Sequence, residues 1–291
     1  MTLPPGIEVR SAGPADRAAV CALLHEHMSS RLSLARWRRL FDYGWLAAKP
    51  DCGVVLLEGG TLAGYLGVIH ALRRIGSRTA RTANLSSWYI LKPWRGRGLG
   101  LAMLRHATRE PAVTYTTFSS NPPALRVMAA AGLVPLDDTR LLWRRSGAER
   151  AGIEVVAGLA AVLPLVPAHE RRLLEDHRDL PIHPHLLRSR EGDCLVILSI
   201  KRKGEDVAFH EVLHLGRPAL LACHAQAFAD AVLAPGESVL SVDSRLLEGC
   251  AVTAAERLPI PVPRYFRSPD LAAREVDFLY SEIPLLDLKL Y

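Results

Sequence analysis

The segment that most restricts the fold lies between residues 82 and 108. A β-rich run, Thr82 to Leu91, turns through Trp94-Arg95-Gly96-Arg97-Gly98-Leu99-Gly100 into an apolar-striped stretch, Leu99 to Thr108. Leu101, Met103 and Leu104 share one helical face, so a strand feeds a helix through a glycine-rich turn. The first N–H groups of such a helix lack intrahelical acceptors and carry the positive end of its dipole. Arg95 and Arg97 add full charges, and glycines at 96, 98 and 100 let the backbone approach an anion without Cβ contact. The turn suits a pyrophosphate, although glycine spacing alone fits a plain connection equally well.

The surrounding elements read as mixed α/β. Ile7 to Arg10 is a short strand, Pro14-Ala15-Asp16 opens a helix carrying Val20, Leu23 and Leu24, and a second helix covers Leu34 to Tyr43. Gly53 to Leu57, Leu62 to Ala71 and Thr82 to Leu91 form an antiparallel meander, with Glu58-Gly59-Gly60-Thr61 as a hairpin turn. After the glycine loop come a strand (Ala112 to Phe118), a helix (Pro122 to Ala131) and a strand pair (Leu133 to Trp143). Apolar periodicity lapses between Arg144 and Gly152, which divides the 291 residues into 1–147 and 148–291.

The second half repeats the element order without the sequence. A charged helix (Ala168 to Arg178) precedes strands at Cys194 to Ile200 and Val207 to Leu215, joined by Arg202-Lys203-Gly204-Glu205. A helix (Pro218 to Leu233), a strand (Ser238 to Val242), a helix near Leu246 to Arg257 and a strand-like Phe278 to Leu288 follow. At the strand-to-helix turn stands Leu215-Gly216-Arg217-Pro218, where one glycine and a proline without N–H leave little for a phosphate. His210-Glu211-Val212-Leu213-His214 spells a zinc-hydrolase motif, but its run is a strand, which sets the two histidines about 13 Å apart at roughly 3.3 Å per residue. No metal site is expected, and His183-Pro184-His185 with Arg188 reads as a loop that either faces an acceptor or is merely exposed.

Composition narrows the class. A net charge of +6 favours an anionic ligand, yet the arginines are dispersed and not interleaved with aromatics, which argues against nucleic acid. No apolar run is long enough for a membrane helix, and the first ten residues resemble no secretion signal, so a cytoplasmic protein is expected. Five cysteines without a CxxC pair read as buried thiols.

Arg95, Gly98 and Gly100 match Arg/Gln-x-x-Gly-x-Gly/Ala, and the segment resembles the signature of the GNAT superfamily of acyltransferases. The resemblance covers about residues 7 to 143. It implies two GNAT-like domains in tandem, the second without the loop, and acetyl-CoA as co-substrate. It implies a pyrophosphate on Arg95, Gly96, Arg97, Gly98, Leu99 and Gly100, and a pantetheine arm along Ile90 and Leu91. Asn121, Ala124, Gly132 and Leu133 match a second family segment, which implies that Asn121 touches CoA. Met128 stands where the family places a tyrosine acid, and Asn84 where some members carry a glutamate base. A thioether donates no proton, so the thiolate leaves unaided, its pKa being about 8.5 to 10.

The base is left open among Ser86 on the strand, His70, His25, Glu26 and a water chain, and Asn84 is held with Ser86 as a catalytic-site residue. The aromatic segment Trp37 to Trp45 is either an acceptor wall or packing of its helix on the sheet. The implied activity is transfer of an acetyl group to an amine or hydroxyl of a small-molecule or saccharide acceptor, such as an amino sugar or surface-polysaccharide precursor. A non-catalytic acyl-CoA sensor is the alternative. The second half would shape the acceptor cleft or stabilise the first; oligomeric state is unread.

Overall fold

The computed structural model describes residues 3–147, 152–204, 206–253 and 255–290. Residues 148–151 of the expected domain boundary, Glu205 of the expected turn and Ala254 of the expected helix lie outside them. The chain forms two compact units. One comprises Met1–Leu136, Val262–Leu271 and Tyr280–Leu288, the other Asp137–Pro261, Ala272–Leu279 and Lys289–Tyr291. The first unit thus recruits two late segments that a single cut in the sequence does not reveal.

In the first unit, β1 (Ile7–Ser11) precedes a 3-10 turn at Pro14–Asp16, α1 (Arg17–Leu23), whose last turn widens into a π-helix to Met28, and α2 (Leu34–Asp42). Ser33 caps α2 by accepting from the Arg36 N–H, and the i, i+3, i+4 set Trp37, Leu40 and Phe41 is buried. The meander follows as β2 (Val54–Glu58), β3 (Thr61–Ile75) and β4 (Arg78–Ile90), then α3 (Leu99–Ala107), β5 (Thr114–Thr117) and α4 (Pro122–Ala130). Strands β1 to β4 pair antiparallel in sequence order, whereas β4 and β5 run parallel. Leu99, Met103 and Leu104 of α3 pack on Val54, Leu56, Leu66 and Leu85 of the sheet, which fixes the start of α3 beside the end of β4.

The second unit repeats this order. The chain leaves the first unit within β6 (Val134–Arg144), one strand where a strand pair was expected. There follow β7 (Ile153–Ala157), α5 (Leu159–Val162), α6 (Ala168–Asp176), β8 (His183–Ser189), β9 (Gly192–Lys203), β10 (Val207–Leu215), α7 (Pro218–Val232) and β11 (Ser238–Asp243). As in the first unit, an antiparallel run of four strands ends in a parallel pair, here β10 with β11. The loop expected at His183 to His185 is the start of β8, and Arg188 pairs with Glu154 at 3.6 Å and Asp193 at 3.4 Å.

Two late expectations are corrected. The helix near Leu246 to Arg257 is a 3-10 turn, Ser244–Leu247, followed by β12 (Glu256–Arg267). Buried Leu246 and Leu247 imitate the start of an apolar helical stripe, and Pro259, Pro261 and Pro263 disguise the strand. The strand-like Phe278 to Leu288 contains α8 (Glu282–Leu285), flanked by Tyr280 and Asp287 in the left-handed region at φ 59° and 56°. In the first unit, Tyr265–Arg267 of β12 pair antiparallel with β5. Cys21, Cys52 and Cys194 are buried, but Cys223 is exposed and Cys250 half-buried, which corrects the uniform expectation of buried thiols.

Candidate active site

Strands β4 and β5 pair only over Thr82–Asn84 and Thr114–Thr116. Beyond Asn84 the β3–β4 register slips between Tyr65 and Gly67, and Ser87 sits at φ 50°, a left-handed conformation uncommon for a residue with a side chain. The bulge and the end of β5 leave a cleft within the first unit, lined by Ser86, Ser87 and Trp88, by Thr117, Ser119 and Ser120, and by Asn121, Ala124 and Met128 of α4. The indole N–H of Trp88 is buried and has no hydrogen-bond partner among the described residues.

At the mouth of β4 the chain makes a 3-10 turn, Lys92–Trp94, and then the glycine loop. Gly96 and Gly98 hold φ of 75° and 76°, values that favour glycine, and Gly98 is the N-cap of α3. A Cβ on Gly100 would lie 3.1 Å from the Trp88 ring, so its absence lets α3 close onto β4. The Ala102 N–H donates to the Gly98 carbonyl as the first bond of the helix, so the N–H groups of Leu99, Gly100 and Leu101 precede the helical ladder. The Arg95 guanidinium lies 4.9 Å from the Tyr89 ring centroid and its Nε donates to the Ile90 carbonyl at 2.7 Å. Arg97 lies 4.7 Å from the Trp94 ring centroid, and neither arginine forms an ion pair among the described residues. The Leu91 N–H donates to Ala63 at 2.9 Å. Three N–H groups outside the ladder and two guanidinium ions without ion pairs among the described residues fit a ligand with phosphates.

Asn121 caps α4, its side-chain carbonyl accepting from the Ala124 N–H at 3.1 Å, while its amide N–H groups have no partner among the described residues. Met128 is buried at the cleft, where its sulfur accepts from the Ser120 hydroxyl at 3.4 Å. Ser86 is buried beside Ser87, with 3.4 Å between their hydroxyl oxygens.

The other base candidates fall elsewhere. His70 meets Asp51 at 2.9 Å and lines a separate cavity of about 370 Å³, with Arg109 and Arg81, in the same unit. The His25 ring contacts the Leu32 carbonyl at 2.9 Å, and Glu26 is exposed beside His27. The aromatic segment packs its helix: Trp37, Phe41, Tyr43 and Trp45 are buried, Phe41 stacks on Tyr65, and the Trp45 indole donates to the His70 carbonyl.

Asn84 does not face the cleft as a base. Its amide donates to the Thr116 hydroxyl at 3.2 Å, and its carbonyl accepts the Glu282 N–H at 3.1 Å. Glu282, which the sequence reading missed, is fully buried, and its Oε1 accepts from the Ser119 hydroxyl at 2.8 Å and the Phe118 N–H at 3.3 Å. Burial pushes its carboxyl up to about 7, against these hydrogen bonds, and Oε2 has no hydrogen-bond partner among the described residues. No motif surrounds Glu282 in the chain; only the Ser281 cap, which accepts from the Ile283 N–H at 3.2 Å, marks its helix.

In the second unit, β10 carries a bulge between Val212 and His214. His210 opposes Ile200 and His214 opposes Ile197, so the two histidines fall on opposite faces, not on one face as a regular strand would place them. His214 contacts Asp277 at 2.6 Å, and burial pushes His210 down to about 4. Among the described residues no group of three metal-ligating side chains occurs, and no helix is long and apolar enough to cross a membrane.

Residues 18–133 match the family model of the acetyltransferase (GNAT) family. No curated protein matches the chain. Among solved structures, a GCN5-related N-acetyltransferase from Kribbella flavida is similar at TM-score 0.56 and 12% identity, over 90% of this chain and 71% of that one. One from Anabaena variabilis gives TM-score 0.55 and 10% identity over 90% and 72%. A putative acetyltransferase from Pyrococcus horikoshii gives 0.50 and 13% over 96% and 94%. Identities this low establish a shared fold.

Proposed function

We propose that the chain, whose residues 18–133 match the acetyltransferase (GNAT) family model, transfers an acetyl group from acetyl-CoA to the amine or hydroxyl of a small acceptor, an amino sugar or surface-polysaccharide precursor being the class we favour. The observation that carries the reading is the α3 terminus, with left-handed Gly96 and Gly98 and unpaired Arg95 and Arg97 beside the β4–β5 cleft. The N–H groups of Leu99, Gly100 and Leu101 with the two arginines would hold the pyrophosphate, Ile90 and Leu91 the pantetheine arm, and Asn121 a CoA polar group. The pyrophosphate would then be bound at the loop while the thioester lies in the cleft, and positioning of the amine against it would supply most of the rate. Met128 at the cleft supplies no acid, so the thiolate would depart unaided or by way of water.

Thiol release from acetyl-CoA across a panel of amino sugars, amines and alcohols, with mass analysis of the acceptor, tests the reading; an acetylated acceptor is expected. Met128 also favours a second reading, a non-catalytic acyl-CoA sensor. Saturable binding with no turnover of any acceptor would establish the sensor in place of the enzyme.

A further inference from the structure

The carboxyl of Glu282 lies one hydroxyl away from the cleft. Its Oε1 accepts from the Ser119 hydroxyl at 2.8 Å, and Ser119 is an exposed residue that lines the cleft. The strand position at which a direct base would stand holds Asn84, which grips the Glu282 backbone N–H. Asn84 therefore places a carboxylate brought from nearly two hundred residues away in the chain, all within the first unit. Oε2 is buried without a partner, an expensive arrangement for a merely structural carboxylate, since a glutamine there would satisfy the same donors.

We propose that Glu282 is the positioning proton acceptor of the transfer reaction, taking the proton of the acceptor ammonium through the Ser119 hydroxyl. The assignment rests on the transferase reading. The ammonium N–H bond breaks as a bond forms to the Ser119 oxygen, whose own proton passes to Glu282 Oε1. The freed nitrogen lone pair attacks the thioester carbonyl carbon. The adduct then collapses with cleavage of the C–S bond, and its second N–H proton reaches the departing CoA sulfur by way of solvent. Glu282 returns its proton to water through Ser119.

The charged side chains described around α8 engage other groups. Arg39 of α2 donates to the Leu285 carbonyl, Arg36 pairs with Asp287 at 3.6 Å, and Arg73 of β3 lies 5.1 Å from the Tyr280 ring centroid. The ionisation of Glu282 is governed by burial and by neutral donors, so its protonation is set near the pH at which a base works best.

The test compares wild type, Glu282→Gln and Ser119→Ala, with acetyl-CoA as donor and glucosamine, ethylamine or water as acceptor, from pH 5.5 to 9. Calorimetry first checks that all three bind acetyl-CoA, and thermal unfolding checks that they fold. The proposal expects a limb near pH 7 in wild-type kcat/KM. Glu282→Gln should lose that limb and about 100-fold in kcat at pH 8, with an unchanged KM for acetyl-CoA. Ser119→Ala, at an exposed position, should show the same loss without a folding defect. A wild-type profile in either variant overturns the assignment, as does a wild type that binds acetyl-CoA yet releases no thiol. Failure of wild type to bind acetyl-CoA overturns the transferase reading itself, and this assignment with it.

Discussion

The two strand-to-helix turns, β4 to α3 and β10 to α7, occupy the same place in two runs of similar order and differ in what their helix ends face. At the first, glycines 96 and 98 turn the chain left-handed and the leading N–H groups stay outside the ladder. At the second, the Gly216 N–H donates to Leu195 at 2.8 Å, the Arg217 N–H reaches the Cys194 sulfur at 3.3 Å, and Pro218 has no N–H. A Glu170 carboxylate oxygen fills the place of a Gly216 side chain, and the Arg217 guanidinium donates to the Glu191 carbonyl at 3.0 Å. The first helix terminus is open to an anion, while the second is closed by a carboxylate of its own chain. One architecture thus leaves a helix terminus open or seals it, according to a few residues at one turn.

Four substitutions sharpen that contrast. In the second unit, charge serves folding: Arg245 is buried against Asp243 at 2.6 Å and Asp137 at 3.7 Å. Arg245→Ala, which takes the guanidinium from between two buried carboxylates, should destabilise that unit by about 3–5 kcal/mol in denaturant unfolding. In the first unit, the proposed role of charge is to hold the ligand. Arg95→Ala with Arg97→Ala should weaken acetyl-CoA binding about 100-fold, with a flatter salt dependence and little change in melting temperature. Asn121→Ala removes the cap of α4 and should cost about 1 kcal/mol of stability in chemical unfolding.

The smallest effect is a pH dependence at the sealed turn. Burial raises the Glu170 carboxyl above its ordinary range, so the folded state holds its proton more tightly than the unfolded chain. The associated stability is complete below the unfolded pKa and is lost as pH rises through the folded one. Glu170→Gln should therefore flatten the decline in melting temperature from acid to neutral pH, without creating acetyl-CoA affinity in the second unit. Gained affinity at that turn would break the comparison.

The sequence disclosed what is local. The glycine loop, the capped α2 and the meander each declare themselves within about ten residues, because periodicity and turn chemistry act at that range. It concealed what chain reversal assembles. β12 is hidden by three alternating prolines, and Glu282 reaches Ser119 only because Tyr280–Leu288 returns to the first unit. The aromatic-rich α2 region left packing and an acceptor wall both open in the sequence, and its buried rings, with Phe41 on Tyr65, take the packing role. His210 and His214 were legible as strand residues, but the bulge that separates their faces leaves no trace in the spacing.

The most direct test of the central claim is calorimetric titration of acetyl-CoA into the wild-type chain and into Gly98→Glu, which sets a carboxylate and a strained left-handed side chain at the mouth of α3. The account predicts saturable binding at one site per chain in the wild type and none in the variant, with both proteins folded. Equal binding in the two, or none in the wild type, would contradict it.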